Sequence, residues 1–493
     1  MADLIRGTSP SRSGSETAIS TTSSPPYTLT GAAAALRAGT VTSTGLLEAA
    51  IAAADRGDPV YGAYLRRFDD AARASAARAD AELAAGRDRG PLHGIPVGIK
   101  DLIATADGPT TAQSRAHDRA WWAGRDATVV TRLEAAGAVL TGKTTTMEFG
   151  CGLPEEADPF PMPRNPWRPE HWAGGSSSGA GIGVATGMFL AGIGSDTAGS
   201  VRMPAAFCGV SGLMPTYGRV PRTGCVPLAP SIDRIGALAR SAQDCAAVLE
   251  VLAGPDPADP ECVPVPFRSP DFGGDLARLR IGVVREGHFP EGRDPALDGV
   301  FSAALDVLTG LGARVREVVL PYRAELTTAV VVVATSEALA CHRGELSRRW
   351  QDYGRGFRGE VATGAFVSGA DYVQAQRVRQ VAQGAADRLF EDVDVIVCPT
   401  ASGGAPRVAE LAGPGGVPDS GVLFRLLTTP YWNGLANPVL AVPMGFTAGG
   451  LPLSMQLAGR PFAEAELVRV GAAYQRATDW QLRTPPVAAE VAA

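Results

Sequence analysis

A serine and a lysine in this sequence have the surroundings that nucleophilic catalysis requires. Ser200 follows a buried apolar segment, residues 188–194 (MFLAGIG), and precedes a predicted helix with Pro204 in its first turn. Backbone N–H groups at such a strand-to-helix junction point forward and attract anions, which is what an oxyanion hole needs. Lys100 ends the apolar segment 95–99 (IPVGI), so burial can lower its pKa and make it a neutral base. No histidine has a comparable context, so we predict a serine nucleophile with a lysine base.

Two familiar motifs match the sequence but stand in the wrong context. Residues 137–144 (GAVLTGKT) fit the phosphate-loop pattern, but a predicted helix precedes them and their inner residues favour a strand. Residues 175–179 (GSSSG) fit the nucleophile elbow of α/β-hydrolases, but no strand precedes them and no histidine follows His342. We therefore reject both the phosphate-loop and the α/β-hydrolase interpretations.

Three segments together resemble the amidase-signature family of serine hydrolases. They are HGIPVGIKD around Lys100, GGSSSG around Ser176 and GSDTAGSVRMPAAFCG around Ser200. The C-terminal stretch NGLANPVLAVPMGF also looks like this family, and the resemblance covers residues 28–482. Ala198 replaces a commoner glycine of the family, but both residues are small, so we expect the loop to keep its shape.

The resemblance implies a Ser–cis-Ser–Lys triad. Ser200 would be the nucleophile, Ser176, preceded by a cis peptide bond after Gly175, would relay protons, and Lys100 would be the base. By similarity, four consecutive N–H groups would form the oxyanion hole: those of Thr197, Ala198, Gly199 and Ser200. Other residues would support the loop and the triad (Ser177, Asp196 and Arg202) or line the acyl site (Gly150, Cys151 and Gly152).

The composition excludes several classes of protein. The chain has 493 residues, with 45 Lys and Arg against 51 Asp and Glu, so its net charge of −6 is unlike that of a basic nucleic-acid-binding protein. The seven cysteines are odd in number and form no CxxC pair, which is typical of reduced thiols in the cytoplasm. The five histidines are not spaced as ligands, so we expect no metal and no other cofactor. No signal peptide is predicted, and the most apolar run, residues 329–334, is too short to cross a bilayer.

Predicted strands alternate with predicted helices along the chain, which is typical of the α/β class. Together with the resemblance, this predicts one large catalytic domain over residues 28–482, with a mixed β-sheet core covered by helices on both faces. Residues 1–27 are rich in Ser and Thr and predict a disordered tail, and residues 483–493 predict a C-terminal tail.

Our main functional hypothesis is a hydrolase that cleaves the C–N bond of an amide or carbamate through an acyl-enzyme on Ser200. The segments expected to form the pocket contain mostly apolar residues, among them Val330, Phe366, Tyr431 and Trp432, and no cluster of basic residues. We therefore expect an uncharged, fairly hydrophobic small-molecule substrate, such as an aryl amide or a urethane. We expect no nucleic acid and no membrane as partners, and the resemblance allows a homodimer.

Two other functions stay open. One is the glutaminase subunit of a tRNA-dependent amidotransferase, although the segment 225–236 (CVPLAPSIDRIG), the polar tail and Met214, where lysine is common, argue against it. The other is a catalytically silent homologue used for binding, although the intact set of Lys100, Ser176 and Ser200 argues against that.

Overall fold

The computed structural model describes residues 28–486, with the exception of residues 157 and 427. The predicted tail of residues 1–27, and residues 487–493 of the predicted C-terminal tail, therefore lie outside the described residues. The boundaries of the catalytic domain stay a prediction. Within the described residues, strands and helices alternate, and the predicted α/β class is confirmed.

The described strands form one mixed sheet of eleven strands. They are β1 (Tyr64–Arg67), β2 (Pro96–Lys100), β3 (Val139–Thr144), β4 (Ala191–Asp196), β5 (Ser211–Met214), β6 (Arg234–Ala239), β7 (Arg280–Val283), β8 (Arg314–Glu317), β9 (Val395–Pro399), β10 (Val439–Phe446) and β11 (Pro452–Ala458). Their order across the sheet is β1-β3-β2-β4-β6-β5-β10-β11-β9-β7-β8. β2 runs parallel to β3 and β4, and β7 runs parallel to β8 and β9, whereas the other neighbouring strands are antiparallel.

Helices cover the sheet. They are α1 (Leu29–Arg37), α2 (Ser43–Tyr61), α3 (Asp69–Ala84), α4 (Thr128–Ala135), α5 (Ser178–Thr186), α6 (Arg202–Cys208), α7 (Ala242–Leu252), α8 (Leu297–Gly310), α9 (Arg323–Arg349), α10 (Arg355–Ala362), α11 (Gly369–Asp392), α12 (Gly421–Leu426), α13 (Pro430–Leu435) and α14 (Glu464–Ala477). Every residue of β2 to β6 is buried. Because successive side chains of a strand point to opposite faces, both faces of the central sheet must be covered.

Two parallel central strands bring reactive side chains to the same end of the sheet. β2 ends at Lys100, and the register pairs Ile99 of β2 with Ile193 of β4. Parallel neighbours end on the same side of a sheet, so the side chain of Lys100 comes close to Ser195 near the end of β4.

The helix α5 holds a serine-rich segment against these two strands. The helix contains several glycines, which are poor helix formers. Close packing requires them: a Cβ atom at Gly179 would lie 2.1 Å from the carbonyl oxygen of Ala63, and one at Gly183 would lie 2.0 Å from the ring of Phe189. Tertiary packing therefore stabilises this helix and places Ser176 and Ser177, which precede it, next to the ends of β2 and β4.

The helix α9 and the turn that follows it, Arg323–Asp352, are long and apolar enough to cross a membrane by length and composition alone. Buried core helices can have the same length and composition. Ala329, Val330 and Val333 of α9 are buried in a cluster that includes Ile232 and Ala375. One face of α9 therefore packs into the core of the α/β fold.

Candidate active site

Lys100 is fully buried among serine hydroxyl groups. Its Nζ lies 2.8 Å from Ser176 Oγ, 3.0 Å from Ser177 Oγ and 2.9 Å from Ser195 Oγ. Among the described residues, no carboxylate forms an ion pair with it. Ser177 Oγ also donates to the carbonyl oxygen of Ser195 at 3.1 Å, so these side chains form one connected network.

The surroundings of Lys100 favour its neutral form. Burial lowers the pKa of Lys100 to about 7, and the nearby carboxylates of Asp196 and Asp233 oppose this shift only in part. A neutral amine has two N–H donors and one lone pair. It can therefore donate to Ser177 and Ser195 while it accepts the hydroxyl proton of Ser176. This is the protonation state that a base requires.

Ser176 and Ser200 line the same cavity. The peptide bond between Gly175 and Ser176 is cis. The N–H of Ser177 donates to the carbonyl oxygen of Ser200 at 3.1 Å, which ties the two serine-bearing segments together. Gly175, Ser176 and Ser200 line a cavity of about 180 Å³. The structure therefore brings the predicted nucleophile, relay and base to one place.

The loop between β4 and α6 is organised around a buried ion pair. Asp196 accepts two hydrogen bonds from the Arg202 side chain, each of 3.0 Å, and both side chains are fully buried. Burial alone would raise the pKa of Asp196, but the charge of Arg202 and the hydrogen bonds from Arg202 and Asn433 hold it well below its ordinary value. Asp196 therefore stays ionised, and it also accepts from the N–H of Val201.

The N–H groups of this loop divide into two kinds. The N–H of Gly199, one of the four predicted oxyanion donors, already donates to Asp196 Oδ1 at 2.8 Å, which the sequence analysis did not foresee. For the N–H groups of Thr197, Ala198 and Ser200, no hydrogen bond is found within the described part of the chain. All four residues line the cavity. The geometry thus leaves three N–H groups available to a ligand.

The side chains of Thr429 and Asp233, which the sequence analysis missed, form hydrogen bonds with this loop. Thr429 Oγ1 donates to the carbonyl oxygen of Ala198 at 2.6 Å, and Thr197 Oγ1 donates to Asp233 Oδ1 at 2.6 Å. A Cβ atom at Gly199 would lie 2.2 Å from Thr429 Oγ1, so the φ of +138° at Gly199 and the close approach both favour glycine. Thr429 lies 231 residues from Ala198, and nothing local in the sequence marks this contact.

Ser195 was also missed, although a signal for it exists. It lies near the C-terminal end of a predicted strand, as Lys100 does. Parallel pairing of those two strands would have placed the side chains together.

Met214, which stands where lysine is common in the family, is buried. Its sulfur accepts hydrogen bonds from Arg234 and from Asn433, each at 3.3 Å.

The predicted acyl-site residues form part of the cavity wall. Gly150, Cys151 and Gly152 all line it, opposite apolar side chains of α9 that include Val330 and Val331. Burial raises the pKa of the Cys151 thiol to about 12, so this thiol is neutral near pH 7 and unsuited to nucleophilic attack.

The cavity wall is mainly apolar, as expected, but most of the residues that suggested this lie elsewhere. Of the residues that suggested it, Val330 lines the cavity, but Phe366 is 89% exposed and Tyr431 and Trp432 are buried in the core. A carboxylate that was not considered, that of Glu360, lines the cavity instead.

Relatives of this chain bear directly on its function. A relative from Roseiflexus sp. (strain RS-1), named as a subunit of glutamyl-tRNA(Gln) amidotransferase, is 41% identical over 94% of this chain and 99% of the relative. A protein of the same name from Chloroflexus aggregans is 40% identical over 94% of this chain and 98% of the relative.

These relatives contradict two predictions. The main hypothesis, a hydrolase of uncharged hydrophobic amides or carbamates, was wrong, because relatives matched over almost their whole length carry the name of the alternative, an amidotransferase subunit. The prediction of a small-molecule substrate, no nucleic acid and at most a homodimer was wrong for the same reason: the relatives' name includes a tRNA and denotes one subunit of an enzyme.

Solved structures and a family model agree with the fold described above. The structure of a glutamyl-tRNA(Gln) amidotransferase subunit from Thermotoga maritima is 30% identical, has a TM-score of 0.75 and covers 89% of this chain and 92% of its own. Peptide amidase from Stenotrophomonas maltophilia is 29% identical, with a TM-score of 0.80, and covers 94% of this chain and 99% of its own. The family model named Amidase matches residues 45–468. The chain therefore belongs to the amidase family, whose members act on C–N bonds.

Proposed function

We propose that this chain is the glutamine-hydrolysing subunit of a tRNA-dependent amidotransferase. The observation that carries the proposal is its identity of about 40% with amidotransferase subunits along nearly their whole length, in a chain where Lys100 is hydrogen-bonded to Ser176 and Ser176 shares a cavity with Ser200. In this role the chain releases ammonia from glutamine, and another subunit uses it to amidate glutamyl-tRNA(Gln). Such an enzyme acts in the cytoplasm.

The first half of the proposed reaction is acylation. Ser200 Oγ attacks the side-chain carbonyl carbon of glutamine, while its proton passes to Ser176 and the proton of Ser176 passes to Lys100. The N–H groups of Thr197, Ala198 and Ser200 stabilise the oxyanion that forms. The C–N bond then breaks, and Lys100 returns a proton through Ser176 to the leaving nitrogen, which departs as ammonia.

The second half is deacylation. The acyl-enzyme is a glutamyl ester on Ser200, and a water molecule attacks its carbonyl carbon. Lys100, neutral again after the first half, accepts the proton of that water through Ser176. The ester bond breaks, the proton returns to Ser200 Oγ, and glutamate leaves. Because burial keeps Lys100 near a pKa of about 7, the same group can act as base and as acid in both halves.

Purification from the native host tests the proposal. We expect the tagged chain to retain the partner subunits, and the complex to convert glutamyl-tRNA(Gln) to glutaminyl-tRNA(Gln) with glutamine as the nitrogen donor. The Ser200→Ala complex should lose conversion with glutamine but keep it with added ammonium chloride, because ammonia bypasses the hydrolytic step. Ser347→Ala is the matched control, since Ser347 is exposed and its hydroxyl donates to the carbonyl oxygen of Gly344 in its own helix.

Two results would overturn the proposal. One is a chain that retains no partner subunits and releases no ammonia from glutamine. The other is a Ser200→Ala complex that still converts glutamyl-tRNA(Gln) with glutamine, because the nucleophile would then lie elsewhere.

A further inference from the structure

Glu360 is the only charged side chain among the described residues that line the cavity above Ser200. It lies on α10 and is half-buried. Its neighbours in the wall are apolar or small, among them Val361, Val330 and Ala334. The negative charge of Glu360 also contributes to the raised pKa of the Cys151 thiol, which places the two groups close together in the wall.

The carboxylate of Glu360 has no hydrogen-bond or ion-pair partner within the described part of the chain. The two arginines of the same helix form hydrogen bonds with other residues. Arg355 pairs with Glu155 and donates to the carbonyl oxygen of Gly416, and Arg358 donates to Trp350 and Gln351. Neither arginine lines the cavity.

A half-buried carboxylate without a partner destabilises the protein while the cavity holds no ligand. Burial raises the pKa of Glu360, and no hydrogen bond or positive charge offsets that effect. A half-buried charge that lacks a partner is stabilised when a ligand brings the opposite charge to it. Since Glu360 shares its cavity with Ser200, that ligand is the substrate whose carbonyl carbon Ser200 attacks.

We propose that Glu360 is the specificity-determining residue that binds the positively charged amino group of the substrate, which in glutamine is the α-ammonium. The choice of glutamine rests on the proposed function, whereas the preference for a cationic amide rests on the cavity alone. Glu360 therefore selects an amide that carries an ammonium group over an uncharged amide of the same length.

A pair of matched amides tests this proposal. 4-Aminobutanamide carries an ammonium group but no carboxylate, and pentanamide is its uncharged counterpart. We expect wild type to favour the cationic amide in kcat/KM by about tenfold or more, the effect of one charge-assisted hydrogen bond. Where turnover is slow, protection of Ser200 from a sulfonyl fluoride by each amide gives the preference as a ratio of dissociation constants instead.

Three variants make the test specific. In Glu360→Gln the preference should fall to nearly one, and in Glu360→Lys it should reverse in favour of 5-amino-5-oxopentanoate, an anionic amide. Glu325→Gln is the matched control, because it removes the same charge from an exposed position outside the cavity, and its preference should equal that of wild type. A wild type without preference, or a Glu360→Gln variant that keeps the preference, overturns the proposal.

The matched-amide test of Glu360 can be read whether or not the proposed function is correct. If the purified chain fails to bind partners or use glutamine, the amidotransferase role fails, but the cationic preference and its loss in Glu360→Gln can still be observed. If glutamine is used and the cationic preference is absent, only the assignment of Glu360 fails.

Discussion

Lys100 Nζ lies 2.8 Å from Ser176 Oγ, although 76 residues separate the two in the chain. Lys100 comes from the end of a central strand and Ser176 from the segment before α5, so the sheet and the helix together create this contact. The hydrogen bond joins a fully buried amine to a hydroxyl that lines the cavity. Through this hydrogen bond a proton can pass from Ser176, at the cavity, to the buried amine of Lys100.

Replacing Lys100 should slow catalysis strongly without unfolding the protein. For Lys100→Met we expect the rate of amide hydrolysis to fall by roughly a hundredfold to ten-thousandfold, because the relay loses its proton acceptor. The melting temperature should stay close to that of wild type, since no carboxylate is left unpaired. Ammonia release and a thermal melt measure the two quantities.

Lys143→Met is the contrasting control for this prediction. Lys143 is also buried, but its Nζ lies 3.1 Å from the buried carboxylate of Asp101. Its loss leaves that charge unpaired, which typically costs about 3–5 kcal/mol of folding stability. A Lys100→Met variant that melts as early as Lys143→Met, or that keeps wild-type activity, would contradict the assignment of Lys100 as base.

The rate should depend on pH through Lys100. Because burial lowers its pKa to about 7, the ammonium form predominates below that pH and the base is lost. We therefore expect kcat/KM to fall about tenfold per pH unit below pH 7 and to reach a plateau above it. A profile measured with an uncharged amide avoids titration of the substrate. A rate that is flat from pH 5 to about 9 would show that no group of this pKa is required.

Replacing Ser195 should move the midpoint of that profile. Ser195 Oγ accepts a hydrogen bond from Lys100 Nζ at 2.9 Å and stabilises the ammonium form more than the neutral amine. In Ser195→Ala the pKa of Lys100 should therefore fall further, and the midpoint should shift to lower pH. Ser211→Ala removes a buried hydroxyl that bonds to Arg240 and Gln475, away from Lys100, so its midpoint should match that of wild type. An unchanged midpoint in Ser195→Ala would argue that another group titrates.

Thr429 should support catalysis through the loop rather than by touching the substrate. In Thr429→Val the hydrogen bond to the carbonyl oxygen of Ala198 is lost, and we expect kcat to fall by about tenfold with little change in KM, because loop donors act mainly in the transition state. Thr429→Ser keeps the hydroxyl and should recover most of the rate. A Thr429→Val variant with the wild-type kcat, next to a slow Thr429→Ser variant, would mean that the methyl group and not the hydrogen bond matters.

The local sequence could predict the candidate catalytic residues because each one lies in a short segment with a recognisable pattern. Ser200 at a strand-to-helix junction and Lys100 at the end of a buried strand are recognisable from apolar patterning, and the resemblance added Ser176. The α/β class followed in the same way, since strand and helix periodicities differ, whereas the mixed sheet was implied by the resemblance. These features depend on neighbours in the chain, so no tertiary information was needed.

The pocket could not be predicted in this way. Phe366 and Val330 are both apolar and lie in neighbouring parts of the chain, yet one is almost fully exposed and the other lines the cavity. Glu360 lies six residues before Phe366 and looks like an ordinary surface residue in the sequence. Which side of a short helix faces the cavity depends on what packs against it.

The sequence by itself therefore determined the family and the class of fold, and it predicted the triad of Lys100, Ser176 and Ser200. Only the tertiary structure decided the pKa of Lys100, the contacts of Thr429 and Asp233 with the loop, and the presence of Glu360 in the cavity. The physical reason is that burial and hydrogen bonding act between residues that are far apart in the chain, and these interactions set the charge and the shape of the site.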